Sequence, residues 1–237
     1  PPRRNALRQS FNFVSDEWRI KVFDLNFTAL IANIPALLIG FAFHEYAHAF
    51  VADALGDPTP RSQGRLTLNP FVHLDFFGTL MALLFRIGWA KPVIINPSYF
   101  RIGPMKGRML VSLAGPLANL TVAFLATLTL IIADIVLRGS EWHITVINVI
   151  MAIVIMNISL GLFNLLPIPP LDGFAVLSGF VPGRYYKYLY TIERYGFLIL
   201  LIVLLTNVLS YVLWPMVNRI INFYFTLALM IVSLVTG

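Results

Sequence analysis

Two histidines and a glutamate inside an otherwise apolar stretch form the pattern His44-Glu45-x-x-His48. On a helix, residues four apart are displaced by only about 40° around the axis, so both imidazoles face one side and can bind one metal ion. Glu45 lies about 100° round from His44, where its carboxylate reaches a water polarised by the metal, as a general base must. Chance could produce such a pattern on a soluble surface helix. Within an apolar run, however, each ionisable group costs on the order of 2 to 3 kcal/mol or more, which favours a functional reason for all three.

A catalytic metal site of this type takes a third protein ligand and leaves a position for water. Cysteine is absent from the chain, so thiolate ligands and disulfides are excluded, and the third ligand must be His, Asp, Glu, Asn or a backbone oxygen. Asp53 falls on the opposite face of the helix from His44. His73 and Asp75 precede a short apolar segment and His143 stands at a helix entrance, positions where a wet polar tip needs no functional account. Asp172 is the strongest candidate. It follows Pro167, Pro169 and Pro170 in an apolar setting, and broken backbone at membrane depth is tolerated only where it faces protein or a water-filled cavity. Taken alone, Asp172 would read as an N-capping residue in a loop; beside the histidine pair it reads as a ligand.

The elements that must position these groups belong to a bilayer. The chain has 237 residues, of which 58% are hydrophobic and 12% charged, with a mean hydropathy of +0.80; this balance excludes an ordinary soluble domain. The net charge of +6 is spread between apolar spans, which suits a membrane surface and makes nucleic acid an unexpected partner. Long apolar helices are expected over Asn26–Leu55, with Pro35 either kinking the helix or opening it, and over Met109–Leu137, Ile144–Leu166 and Gly196–Val217. A further run, Ile220–Val235, is borderline in length. Phe76–Phe85 is about half a span and predicts a re-entrant hairpin. Arg61–Leu68 and Pro92–Phe100 read as short strands, and Arg184–Arg194 as an amphipathic segment on the membrane surface. Asp134 and Arg138, four apart near a helix end, predict a local ion pair. Gly115, Pro116 and Asn119 predict close helix packing.

The fold class that follows is an all-α membrane protein, a polytopic helical bundle with a re-entrant hairpin and short β segments near the active site. Residues 1–25 read as an N-terminal surface segment without the features of a signal peptide, residues 26–217 as the catalytic membrane domain, and residues 218–237 as a membrane-associated or spanning helix.

The His44–His48 motif, together with residues 164–173 (NLLPIPPLDG), resembles the paired signature of the site-2 protease family of intramembrane zinc metalloproteases. Residues 112–119 (SLAGPLAN) are similar to that family's pattern in the intervening helix, and residues 63–70 and 89–93 resemble its short bacterial members, which lack an inserted PDZ domain. The resemblance implies one zinc ion held by His44, His48 and Asp172, Glu45 as general base, and Asn164 as a group that holds substrate or stabilises the transition state. It implies a transmembrane protein as substrate, cut within the lipid of a cell membrane. For Asp172 to return to the depth of His44, Phe76–Phe85 must not cross. That topology puts the larger share of Lys and Arg on the side of the site, toward the cytoplasm. The rival readings are an inactive relative that binds membrane segments and a metal or solute transporter.

Overall fold

The computed structural model describes residues 27–85, 89–206 and 208–236; the expected surface segment at residues 1–25 lies outside them. The first helix, α1 (Phe27–Ala54), runs through Pro35 without ending there. Two single turns follow, α2 (Thr59–Ser62) and α3 (Pro70–His73), and then α4 (Phe76–Phe85). The longest helix, α5 (Pro104–Val136), starts on a proline in its first turn, where the missing N–H costs nothing. After it come α6 (His143–Asn164) and the short α7 (Asp172–Ser178), then α8 (Tyr186–Arg194), α9 (Gly196–Leu205) and α10 (Val208–Thr236).

Four helical stretches are long and apolar enough to cross a membrane: Asn33–Ala54, Pro104–Val136, His143–Asn164 and Tyr211–Leu234. A fifth crossing arises if the pair Gly183–Arg194 and Gly196–Leu205, bent by 55°, counts as one span. The chain is thus a multi-pass helical membrane protein. At its centre α5 packs on α1, α6, α7 and α10. Ala123, Leu130, Val154, Ile158, Val217 and Ala228, from α5, α6 and α10, are buried at their shared seam. The small residues allow backbones to approach, which lets helices associate where lipid is as apolar as the side chains.

The two expected strands are not strands. Over Arg61–Leu68, prolines at 58 and 60 open a helical turn, and local bonds such as Arg65 N–H to Pro60 O consume the backbone groups a ladder would use. Pro92–Phe100 has no regular structure until Asn96, which is extended, and then forms a 3-10 turn at Pro97–Tyr99. Its amides donate to α1 and the loop after it: Val93 N–H to Glu45 Oε2 at 3.0 Å and Asn96 N–H to Asp57 Oδ2 at 2.6 Å. Among the described residues the one β pairing is an isolated bridge between Leu74 and Ala90. That bridge closes the ends of the α4 segment on each other, and at Gly78 a Cβ would lie 2.0 Å from Trp89 O. The chain therefore leaves along a ten-residue helix and returns to where it set out.

The late helices also divide differently from expectation. Helix α9 stops at Leu205, where Thr206 turns extended and its hydroxyl donates to Val203 O, satisfying a carbonyl that the helix end leaves free. Helix α10 then continues unbroken through Pro215, joining the end of the expected fourth helix to the fifth apolar run. The expected ion pair is present, with Arg138 donating to Asp134 at 2.5 Å and His143 at 3.0 Å from the same carboxylate.

Asp57 fastens the loop that brings Val93 to Glu45. It is fully buried and accepts from Thr59 N–H and Asn96 N–H. Asp57→Ala leaves two amides unpaired and is expected to destabilise the protein by about 2–4 kcal/mol, read as a lowered thermal midpoint in detergent; an unchanged midpoint would show that the clasp contributes nothing.

Candidate metal centre

His44 and His48 stand one turn apart on α1, with ring centroids 4.6 Å apart and planes at 89°. Both are buried. Their Nε2 atoms are 3.0 Å apart. Asp172, the first residue of α7, places Oδ2 at 3.1 Å from His44 Nε2 and 3.3 Å from His48 Nε2. Residues separated by more than a hundred positions in sequence thus form a nearly equilateral triangle of donor atoms. Among the described residues these three form the one group of His, Asp and Glu side chains close enough to share a metal ion.

The hydrogen bonds behind the triangle fix where the protons are. His48 Nδ1 lies 2.7 Å from Val111 O, an oxygen that can only accept, so Nδ1 carries the hydrogen. His44 Nδ1 lies 2.6 Å from Asn119 Oδ1. With Nδ1–H held by those oxygens, each ring in its neutral form turns the Nε2 lone pair toward a carboxylate oxygen about 3 Å away. Three such donor atoms converging on one point suit a cation among them. Ligand atoms arranged tetrahedrally at the usual zinc–nitrogen distance are separated by edges of about 3.3 Å, close to those observed. The donor set fits zinc.

Close backbone approach makes the cluster possible. A Cβ at Gly115 would lie 2.5 Å from His48 Nε2 and 2.7 Å from His44 Cε1, so α5 passes directly against both rings. At Gly173 a Cβ would lie 2.2 Å from Leu165 O, which shows how tightly the proline-rich loop folds over the start of α7. A small cavity beside Asp172 is lined by Arg108, Ser112, Phe174 and Glu193, with Arg108 and Glu193 paired across it.

Glu45 is buried, with its carboxylate on Val93 N–H. Asn164, at the end of α6, donates from its side chain to Leu160 O at 3.0 Å, within its own helix, and is not drawn into the triangle. The residues set aside in the sequence have other partners: Asp53 pairs with Arg61, Asp75 caps α4 at Gly78 N–H, and His73 Nε2 lies 2.7 Å from Thr67 O. Asn119 and Val93 were not legible as site residues. Asn119 fitted helix packing, and a backbone amide leaves no mark in composition.

Residues 131–206 match the sequence model of peptidase family M50. The chain is 42% identical over 189 residues to YwhC of Bacillus subtilis, a zinc metalloprotease by name, with 78% of this chain and 85% of the relative covered. It is 29% identical over 188 residues to Rip2 of Mycolicibacterium smegmatis, also named as a zinc metalloprotease, covering 76% of this chain and 69% of that one. Rip2 of Mycobacterium tuberculosis H37Rv gives 29% over 182 residues. No solved structure matches the chain significantly. The extent of the match to the Bacillus protein carries the family across most of the chain, which belongs to peptidase family M50.

Proposed function

We propose that His44, His48 and Asp172 are the zinc ligands of this enzyme and that Glu45 is its general base. The enzyme is an intramembrane zinc metalloprotease. The convergence of three donor atoms at 3.0–3.3 Å supports the ligand assignment. Zinc, when bound, supplies Lewis acidity that makes water a nucleophile near neutral pH and polarises a carbonyl. Glu45 takes one proton from the attacking water and returns it to the amine nitrogen as the carbon–nitrogen bond breaks, so the base is regenerated. Its bond from Val93 N–H keeps the carboxylate at a fixed place beside the two histidines. Asn164 holds substrate or the oxyanion, a role worth roughly 3 kcal/mol for a donor of this kind; reaching it requires the amide to leave Leu160 O.

The substrates are membrane-embedded proteins. A helical segment hides its amides in its own hydrogen bonds, so cleavage needs it extended, and the stretch before Pro97, tied to Glu45 through Val93, lies where an extended segment would pass the base. The closure of Leu74 on Ala90 supports a re-entrant α4, which returns the chain to the side from which α5 starts. On that topology the site lies toward the cytoplasmic face of the cell membrane, within a catalytic unit over residues 26–217.

Metal content tests the ligand set. Purified protein is expected to hold one zinc per chain, and Asp172→Ala to lose it; stoichiometric zinc in the variant would remove Asp172 from the site. A transporter would instead carry zinc into proteoliposomes in proportion to time. A protein that binds zinc but leaves every membrane substrate intact would be the inactive relative.

A further inference from the structure

Behind His44 stand two buried amides that no mechanism of hydrolysis uses directly. Asn119, on α5, and Asn157, on α6, are both fully buried. Their orientations are settled by backbone carbonyls, which can only accept. Asn157 Nδ2 donates to Ile153 O at 2.9 Å, so its Oδ1 faces Asn119. Asn119 Nδ2 donates to that Oδ1 at 2.9 Å and to Gly40 O at 3.0 Å, which uses both of its hydrogens. Asn119 Oδ1 is thereby turned to His44 Nδ1 at 2.6 Å.

Reversing Asn119 would set its oxygen against two acceptors, Gly40 O and Asn157 Oδ1, in a fully buried setting. It would also present an N–H to His44 Nδ1. The ring proton would then move to Nε2 and occupy the lone pair that faces Asp172.

We propose that Asn119 and Asn157 are positioning residues that hold His44 in the Nδ1–H tautomer and so keep its Nε2 open to zinc. The proposal rests on His44 being a zinc ligand. Direction enters the chain of amides at Ile153 O, passes through Asn157 to Asn119 and ends on the imidazole. At Gly40 a Cβ would stand in ordinary contact with Leu160 at 3.4 Å and Asn157 Oδ1 at 3.7 Å, so α1 and α6 lie close together at this point. Helix α6 thus governs the tautomer of a residue on α1.

The test uses the full-length protein in detergent, with two readouts besides proteolysis. One is zinc affinity, measured by competition with a chromophoric chelator. The other is the pair of imidazole nitrogen-15 shifts of His44 in metal-free protein, assigned by their loss in His44→Ala. Asn119→Leu is expected to lower zinc affinity by about 10- to 100-fold and to mix the tautomers. Asn157→Leu leaves Gly40 O in place and is expected to cost less, about 10-fold; it also serves if Asn119→Leu does not fold. A folded variant of either residue lacking its amide, with His44 still wholly Nδ1–H and zinc affinity unchanged, overturns the proposal. His44→Ala separates the two levels: if it keeps full zinc affinity, the ligand assignment itself fails, whereas loss of zinc there with none in the Asn variants sinks only the amide chain.

Discussion

Glu45→Gln is expected to lower hydrolysis of a membrane substrate by about 10²- to 10⁴-fold while leaving zinc bound. Gln has the shape of Glu and can still accept from Val93 N–H, so the loop and the metal ligands keep their places. What the amide cannot do is take a proton from water. Co-expression of a substrate with either form, with cleavage followed by immunoblot and zinc by elemental analysis, separates the two effects. Undiminished cleavage would remove Glu45 as the base; loss of zinc together with activity would make it a structural residue of the metal site instead.

Gly115→Ala is expected to act through space alone and to abolish activity. The added methyl would lie 2.5 Å from two atoms of the His48 ring and 2.7 Å from His44. Neither ring can retreat freely, because Val111 O and Asn119 Oδ1 hold the far side of each. Either α5 moves away, at a cost of about 1–3 kcal/mol for overpacking, or the imidazoles rotate and their Nε2 atoms diverge. Zinc affinity is therefore expected to fall by at least 10-fold, with the helical content by circular dichroism unchanged. A variant that binds zinc as tightly as the parent would show that the helices part more easily than their packing suggests.

What could be read from the sequence, and what could not, divides along a physical line. The spacing of His44 and His48 fixes their relation on a helix, because helical periodicity is local. Asp172 was legible through its context: three prolines in an apolar stretch leave backbone groups that need a polar or protein-lined surrounding. The long spans were legible because about 20 apolar residues leave no alternative in lipid. The strands failed for the opposite reason. Residues 92–96 have strand composition, yet a strand is defined by its partner, and here the amides of Val93 and Asn96 found the carboxylates of Glu45 and Asp57. Asn119 was hidden in the same way. An Asn one turn beyond a Gly-Pro pair is equally suited to helix packing and to orienting an imidazole, and only tertiary contact tells them apart. The break at Thr206 lies in a run so uniformly apolar that nothing in its pattern marks an end.

One helix, α6, reaches the metal cluster twice. It carries Asn157, whose amide feeds the contact to His44, and its far end leads through seven residues into Asp172. A tilt of this single rod shifts an imidazole's support and a carboxylate together. Bilayer thickness acts on helix tilt, so with Asp172 and His44 as ligands zinc retention is expected to depend on the surrounding lipid. Reconstitution into membranes of graded acyl length should then change zinc retention as well as turnover.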